Sequence, residues 1–297
     1  MIVLFRLIPV QSLNVDRWSI INSFWDAAFN GQYPYLAQSN SGNFPGPMPI
    51  YFVLALPFYW INEIGYFSLI GVVILVVYLL YIKKQKQDIF FILIFLISTP
   101  FMFWEVTARS SVFTNSVLIL IYLVSMQKID SSNRKNIIIS GLIGGLLLST
   151  RNVFVPVFLL FIINNLLRKK INLRMALLWG VSVLFSFLLS FSPFLIFYFD
   201  DFLKMNPFII QSSFLIPPGY IPVFILASVG IAYISKNDRS VIFFIGVLLF
   251  CIILIYFLFH ISQIGIEKAY FGSVVDISYF IFSTPFLIYS LQINPNR

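Results

Sequence analysis

The sequence predicts an all-α, polytopic integral membrane protein with about nine transmembrane helices and one interfacial helix. Of its 297 residues, 60% are hydrophobic and only 10% are charged, and the mean hydropathy is +0.94. A soluble domain carries about 25% charged residues, so this chain lacks the polar surface that would keep it dispersed in water. Its apolar residues also fall into long runs, as expected of helices that cross a bilayer.

The charged residues lie in short clusters between the apolar runs, which is where the positive-inside rule acts. When the runs alternate across the membrane, most of the 19 Lys and Arg residues fall on one side and most of the acids on the other. We therefore expect the basic side, with the C-terminus, to be cytoplasmic. The net charge of +8 forms no basic face for a phosphate backbone, so no nucleic-acid partner is expected.

The N-terminal segment, residues 1–10, is apolar but is interrupted by Arg6 and Pro9. It is too short to cross the membrane, which needs about 20 residues. It also lacks the basic start and the small-residue cleavage site of a signal peptide. Two interpretations stay open: the segment lies at the interface, or the true start is upstream and a first helix is missing.

Residues 13–47 are the largest polar stretch, and they contain no Lys. We therefore expect an outer loop, followed by an interfacial helix at 48–62. As a helix, the apolar run at its start would reach only about 21 Å, short of the roughly 30 Å hydrocarbon core. Pro57 and the dense aromatic residues also favour a helix lying at the outer interface. A full span at this point would instead move the loop to the cytoplasm.

The remaining apolar runs predict nine transmembrane helices within residues 66–293. Two of them are short and meet at Thr150-Arg151-Asn152, a pattern typical of half-deep helices whose join is buried in protein. No internal repeat is visible, so a single membrane domain over residues 1–297 is the simplest account. The nine ranges are 66–82, 88–104, 112–127, 136–150, 152–167, 174–199, 219–235, 239–260 and 273–292.

Motifs in the first part of the chain follow one another in a characteristic order. They are Asp16, Gly31-Gln32-Tyr33-Pro34-Tyr35, Pro45-Gly46-Pro47-Met48-Pro49, the basic turn Lys83-Lys84, Ser98-Thr99-Pro100 with Trp104, Glu105 and Arg109, and a glycine-rich helix ending in Thr150-Arg151. In this order they resemble the C-type (GT-C) membrane glycosyltransferase superfamily, and most closely its bacterial mannosyltransferase-like members. The resemblance covers roughly residues 14–170.

Two features depart from the family pattern. The family has a complete first helix before the acidic loop, and this chain does not. The family often has its second outer acid directly beside the arginine, whereas here Thr107 takes that place and Glu105 lies two residues earlier.

The resemblance implies transfer of a sugar from a polyprenyl-phosphate donor to an acceptor hydroxyl, on the extracytoplasmic face of the bacterial inner membrane. A glycan or lipid of the cell envelope would be the acceptor. Asp16 is the candidate base, because a sugar hydroxyl must lose its proton as it attacks. Arg109 and Arg151 are the candidate contacts for the leaving phosphate, which needs positive charge.

A divalent cation, Mg²⁺ or Mn²⁺, held by Asp16 and Glu105 would share that work, although nothing in the sequence requires a metal. Cys251 is the only cysteine and His260 the only histidine, so a disulfide and thiolate or imidazole clusters are excluded. Arg17, Trp18, Tyr33 and Tyr35 are candidate substrate contacts.

Each candidate also has a structural interpretation. Asp16 fits an interfacial acid or a helix N-cap, Glu105 and Arg109 have the spacing of a helical ion pair, and Arg151 fits a brace. The aromatic residues fit a membrane-interface belt, and Asp200-Asp201 fits the cap of an outer loop. The alternative functions are a glycolipid transporter or flippase and a non-catalytic membrane relative. A transporter would usually show repeats and charges deep within its spans.

Overall fold

Every regular element in the structure is helical, which confirms the predicted all-α class. The structure is a computed structural model and describes residues 2–13, 15–82, 85–214, 217, 219–271 and 275–290, with no strand among them. Three predicted features lie outside the described residues: the basic turn Lys83-Lys84, the start of the last run at 273–274, and the C-terminal residues 291–297. The C-terminus was expected on the cytoplasmic side.

The chain divides into two compact units that alternate along the sequence. Unit 1 comprises Met1–Val15, Glu63–Ile121 and Ser235–Arg297, and unit 2 comprises Asp16–Asn62 and Tyr122–Ile234. The single membrane domain over residues 1–297 stays a prediction.

The helices of unit 1 are mostly longer than ten residues. They are α1 (Ile2–Leu7), α4 (Gly65–Tyr81), α5 (Lys86–Ser98), α6 (Pro100–Thr107), α7 (Val112–Met126, whose end belongs to unit 2), α15 (Asp238–Ile266) and α16 (Thr284–Ser290). A π-helical turn, Glu267–Phe271, continues α15, and a 3-10 helix, Ile277–Phe282, precedes α16.

Among the described residues, unit 2 contains one α-helix from the predicted outer loop, one from the predicted interfacial segment and seven from the middle of the chain. They are α2 (Arg17–Phe29), α3 (Pro49–Trp60), α8 (Arg134–Leu148), α9 (Val155–Leu167), α10 (Leu173–Leu189), α11 (Ser192–Phe197), α12 (Phe199–Lys204), α13 (Pro207–Phe214) and α14 (Tyr220–Ile234).

Each of the nine predicted runs contains helix, but few of these helices have the length of a span. By length and composition, one described helix is able to cross a bilayer, Asp238–Phe271, or up to three if each of two bent helix pairs is one span. One such pair is α5 and α6, which meet at 66° because Pro100 holds the preceding Thr99 extended. Most of the others have 13 to 17 residues and reach about 20–26 Å.

The predicted outer loop is more ordered than its polar composition indicated, because α2 occupies residues 17–29. This helix buries Ile21 and Phe24, and Phe24 stacks on Phe52 of α3 with their ring centroids 3.6 Å apart. The Trp25 Nε1 donates to the Phe52 carbonyl at 3.1 Å. The helix predicted at 48–62 is thus observed as α3, packed on a helix that forms part of the loop, and its location at the membrane interface stays a prediction.

Helices α8 and α10 pack closely through small residues. A side chain on Gly141 or Gly145 would collide with Ser182 or Ser186 of α10, so the backbones approach closely only because glycine is present. The other side of α10 exposes large apolar residues, namely Leu177, Val181, Phe185 and Leu188. The buried side of α10 carries small residues at the contact with α8 beside the larger Trp179 and Val183. Small residues at the helix contact and exposed apolar side chains on the opposite side are typical of helices that pack in lipid.

The join between α8 and α9, for which the sequence predicts burial in protein, is buried at its two ends, whereas Arg151, Asn152 and Val153 between them are half-buried. Ser149, Thr150 and Phe154 are all at most 1% exposed. The carbonyls of Ser149 and Thr150 accept hydrogen bonds from the N–H groups of Ile50 and Met48, at 3.0 and 3.3 Å. The start of α3 therefore supplies hydrogen-bond donors to carbonyls that have no partner within their own helix.

Candidate active site

Asp16 lies immediately before α2, at its N-cap position, but its carboxylate faces the loop. Its Oδ2 accepts hydrogen bonds from Ser39 Oγ at 2.8 Å and from Asn43 Nδ2 at 2.7 Å, and the side chain makes no cap bond to the helix. Among the described residues, Oδ1 has no hydrogen-bond partner. The carboxylate is therefore held by one oxygen and presents the other.

A tight turn at residues 39–43 builds the cradle for Asp16. Ser39 N donates to the Asn43 carbonyl, Gly42 N donates to the Ser39 carbonyl, and Asn43 N donates to Ser39 Oγ. Gly42 has a φ of 77°, in the left-handed region that favours glycine. Asn40 N donates to Ser19 Oγ, which ties this turn to the first turn of α2. Local turn chemistry thus fixes both donors to Asp16.

Arg151 follows α8 and reaches the start of α3. Its guanidinium carbon lies 4.9 Å from the ring centroid of Tyr51, in a cation–π contact. Its Nε is buried and has no hydrogen-bond partner among the described residues. Since a buried N–H without a partner is costly, this donor would be stabilised by an acceptor beyond those that the described residues provide.

Arg109, in unit 1, uses both terminal nitrogens of its guanidinium, although its Nε, like that of Arg151, has no hydrogen-bond partner among the described residues. Its Nη1 donates to the Thr107 carbonyl at 2.9 Å, and its Nη2 donates to the carbonyls of Ile8 and Phe5 at 2.8 and 3.1 Å. Its Nε lies 3.4 Å from Glu63 Oε1, and the side chain is only 1% exposed. These contacts give Arg109 a bracing role, and its predicted phosphate contact stays a prediction.

The turn that contains Arg109 is a Schellman motif at the end of α6. Ser110 N donates to the Glu105 carbonyl at 2.9 Å and Arg109 N donates to the Val106 carbonyl at 3.2 Å, while Arg109 itself has a φ of 52°. The Glu105 side chain is fully buried, and its Oε1 accepts a hydrogen bond from Phe113 N at 2.7 Å. Its carboxylate thus lies at the positive end of α7, where an anion is stabilising.

The candidate aromatic contacts differ in accessibility. Tyr35 is completely buried, donates to the Pro47 carbonyl and packs edge-on against Phe24, so its ring belongs to the core. Tyr33 donates its hydroxyl to the Met205 carbonyl at 2.7 Å. Burial raises the pKa of both phenols, and the charge of Asp201 raises the pKa of Tyr33 further. Arg17 and Trp18 are half-buried in the first turn of α2.

The structure divides the eight predicted site residues between the two units. Unit 2 contains Asp16, Arg17, Trp18, Tyr33, Tyr35 and Arg151, and unit 1 contains Glu105 and Arg109. The described residues contain no group of three or more His, Cys, Asp or Glu side chains that fits a metal ion. The divalent cation suggested for Asp16 and Glu105 stays a prediction.

A cavity of about 400 Å³ in unit 2 contains residues that the sequence did not single out. Its lining is Ala27, Gly31, Gln32, Tyr33, Leu36, Ala37, Tyr198 and Asp201. Of these, only Tyr33 was a candidate from the sequence, and Asp201 was expected to cap a loop. The bias of acids toward the outer side was the available signal, although it does not distinguish Asp201 from Asp200.

Comparison of the chain with protein-family models, with curated proteins and with solved structures found no match. The resemblance drawn from the motif order therefore depends on the residues of this sequence alone.

Proposed function

We propose that this chain is a multi-pass membrane glycosyltransferase of the C-type superfamily, using a polyprenyl-phosphate sugar as donor. The observation that carries the proposal is the Asp16 carboxylate, which is anchored through Oδ2 and open at Oδ1. Arg151, in the same unit, has a buried guanidinium donor without a described partner. Sugar transfer from a phosphate requires a base that takes the proton of the acceptor hydroxyl and a positive charge that stabilises the leaving phosphate. The Asp16 carboxylate and the Arg151 guanidinium are proposed for these two roles.

The membrane setting is supported by the surfaces of the helices. Helix α15 is long and apolar enough to cross a bilayer. Helix α10 exposes several large apolar residues and buries Ser182 and Ser186, which favours a lipid solvent. In a multi-pass inner-membrane protein, the shorter helices would cross the bilayer with help from flanking residues or from local thinning of the bilayer.

In the proposed reaction, the acceptor hydroxyl attacks the anomeric carbon of the donor sugar. The new bond forms between that oxygen and the anomeric carbon, while the bond from this carbon to the phosphate oxygen breaks. The hydroxyl proton passes to Asp16 Oδ1, and the phosphate leaves with the bonding electron pair. Arg151 stabilises the negative charge that grows on the phosphate. Ser39 and Asn43 keep the carboxylate oriented by bonding the other oxygen.

The test compares Asp16→Asn with a matched acid in the same segment. The purified protein, in lipid nanodiscs, receives a radiolabelled polyprenyl-phosphate hexose with an envelope glycolipid extract as acceptor, and transferred label is counted. Asp26→Asn is the control, because Asp26 lies on the same helix but already accepts from Tyr59 at 2.6 Å. We expect Asp16→Asn to lower the rate by about 10²–10⁴-fold and the control to change it little.

Three other results would count against the proposal. Equal rates in wild type and Asp16→Asn would remove this carboxylate from the reaction. Movement of intact donor across the bilayer without sugar transfer would indicate a flippase. A folded wild-type protein without either activity would favour a non-catalytic relative.

A further inference from the structure

The cavity in unit 2 has the size and the preformed walls of a small-molecule site. Its volume of about 400 Å³ lies within the range of about 300–1,000 Å³ that such sites occupy. One wall is fixed by the Tyr33 hydroxyl, which donates to the Met205 carbonyl, 172 residues further along the chain. Another is fixed by the turn at Gly31, whose φ of 68° suits glycine. The cavity is therefore part of the fold.

Two polar side chains in the lining have no hydrogen-bond partner among the described residues. Gln32 is exposed and offers an amide that both donates and accepts, and Asp201 is half-buried and offers a carboxylate that only accepts. Asp201 and Tyr33 both line the cavity, and the charge of Asp201 contributes to the raised pKa of Tyr33. The two groups thus belong to one small space.

The chemistry of the lining selects the class of ligand. Its one charged side chain is a carboxylate, so a phosphate or another anion is disfavoured. Tyr33 and Tyr198 lie with ring centroids 5.5 Å apart, and Leu36 adds an exposed apolar surface. A matching ligand has hydroxyl groups that donate to the carboxylate and that both donate to and accept from the amide. It also has a ring whose apolar C–H faces pack against the tyrosine and leucine side chains. That description fits a neutral saccharide.

We infer that this cavity binds a neutral saccharide, with Asp201 and Gln32 holding ring hydroxyls and Tyr198 packing against a sugar face. Its role as the acceptor subsite rests on the proposed function, since the anionic donor phosphate does not suit it. Saccharide binding itself requires neither the donor nor turnover.

The experiment measures binding in the absence of donor. Full-length protein in lipid nanodiscs is titrated with methyl α-D-mannopyranoside and with a mannobiose, and saturation-transfer NMR reports the dissociation constant. Nanodiscs are needed because maltoside detergents would present sugar headgroups to the site. Asp201→Ala is compared with Asp200→Ala, since Asp200 lies beside it in the first turn of α12 but does not line the cavity.

We expect saturable binding in wild type, about 10- to 100-fold weaker binding in Asp201→Ala, and a change below about twofold in Asp200→Ala. Gln32→Ala, an exposed position, should also weaken binding and serves if Asp201→Ala fails to fold. Absence of saturable binding in wild type, or equal affinities in the two Asp variants, would overturn the inference. Binding of glucosamine without binding of the neutral glycosides would also overturn it.

The two proposals fail separately. Sugar transfer that depends on Asp16, with no saccharide binding at the cavity, would leave the transferase and remove the subsite. Saccharide binding that depends on Asp201, in a protein without transfer activity, would keep the site and remove the transferase.

Discussion

Arg109 of unit 1 and Arg151 of unit 2 were candidates for the same task, but the structure surrounds them differently. Arg109 is buried, and its guanidinium bonds three backbone carbonyls and pairs with Glu63. Arg151 is half-buried and lies over Tyr51, and the Nε atoms of both arginines are buried without a hydrogen-bond partner among the described residues. The comparison teaches that the terminal guanidinium nitrogens separate the two arginines, because those of Arg109 are bonded to backbone carbonyls of its own unit.

The largest effect should come from Arg109→Met, which removes all of these hydrogen bonds and the ion pair. The carbonyls of Thr107, Phe5 and Ile8 would be left without their donor, and Glu63 without its cation. We expect a decrease of about 3–5 kcal/mol in the free energy of unfolding, as for breaking a buried ion pair. Unfolding in mixed micelles, followed by circular dichroism, measures it. A decrease as small as that of Arg151→Met would break the comparison.

Arg151→Met should show the opposite pattern. Its stability should fall by only about 0.5–1 kcal/mol, because the substitution abolishes a single cation–π interaction. Its transfer rate should fall by about 10²–10³-fold, as for removal of one group that stabilises a transition-state charge. Arg151→Lys, which keeps the charge but not the planar fork, should recover part of the rate. Wild-type activity in Arg151→Met would assign this side chain to bracing alone.

The position of Arg151 depends on the helix before it, and Gly145→Ala tests that support. A methyl group there would collide with the Val183 carbonyl oxygen of α10, so the helices must separate. We expect a destabilisation of about 1–3 kcal/mol, together with loss of transfer activity. Gly180→Ala on α10 is the control, because a side chain at that position meets nothing within 4 Å. Equal stabilities of the two variants would contradict the close packing.

The smallest effect concerns Tyr33, which, like Arg109, gives its polar group to a backbone carbonyl. Tyr33→Phe should cost about 1 kcal/mol at pH 8. Because burial and Asp201 raise the pKa of Tyr33 above 10.0, the unfolded chain loses this proton first, and wild-type stability should fall as the pH rises above about 10. Tyr33→Phe should lose less stability between pH 8 and 11. Equal slopes in that range would contradict the shift.

Local sequence rules predicted much of the helical framework. Pro49 begins α3, as proline does at a first turn, and Thr150-Arg151-Asn152 marks the join of two short helices, whereas Pro100 divides the single run predicted at 88–104 into α5 and α6. The polar composition of residues 13–47 did not predict α2. The buried side chains of this helix pack against α3, so α2 needs no long apolar run. The nine-span arrangement stays a proposal, since most of the helices are shorter than a hydrocarbon core.

The sequence by itself determined the apolar composition, the helical class and the candidate residues for the proposed function, because these depend on side-chain type and on neighbours within one or two turns. Only the tertiary structure decided which arginine is committed, how Asp16 is held and where a cavity forms. Those features depend on contacts between distant residues, such as Tyr33 with Met205 and Arg109 with Phe5. No local pattern specifies such pairs, because packing brings them together only when the whole chain has folded.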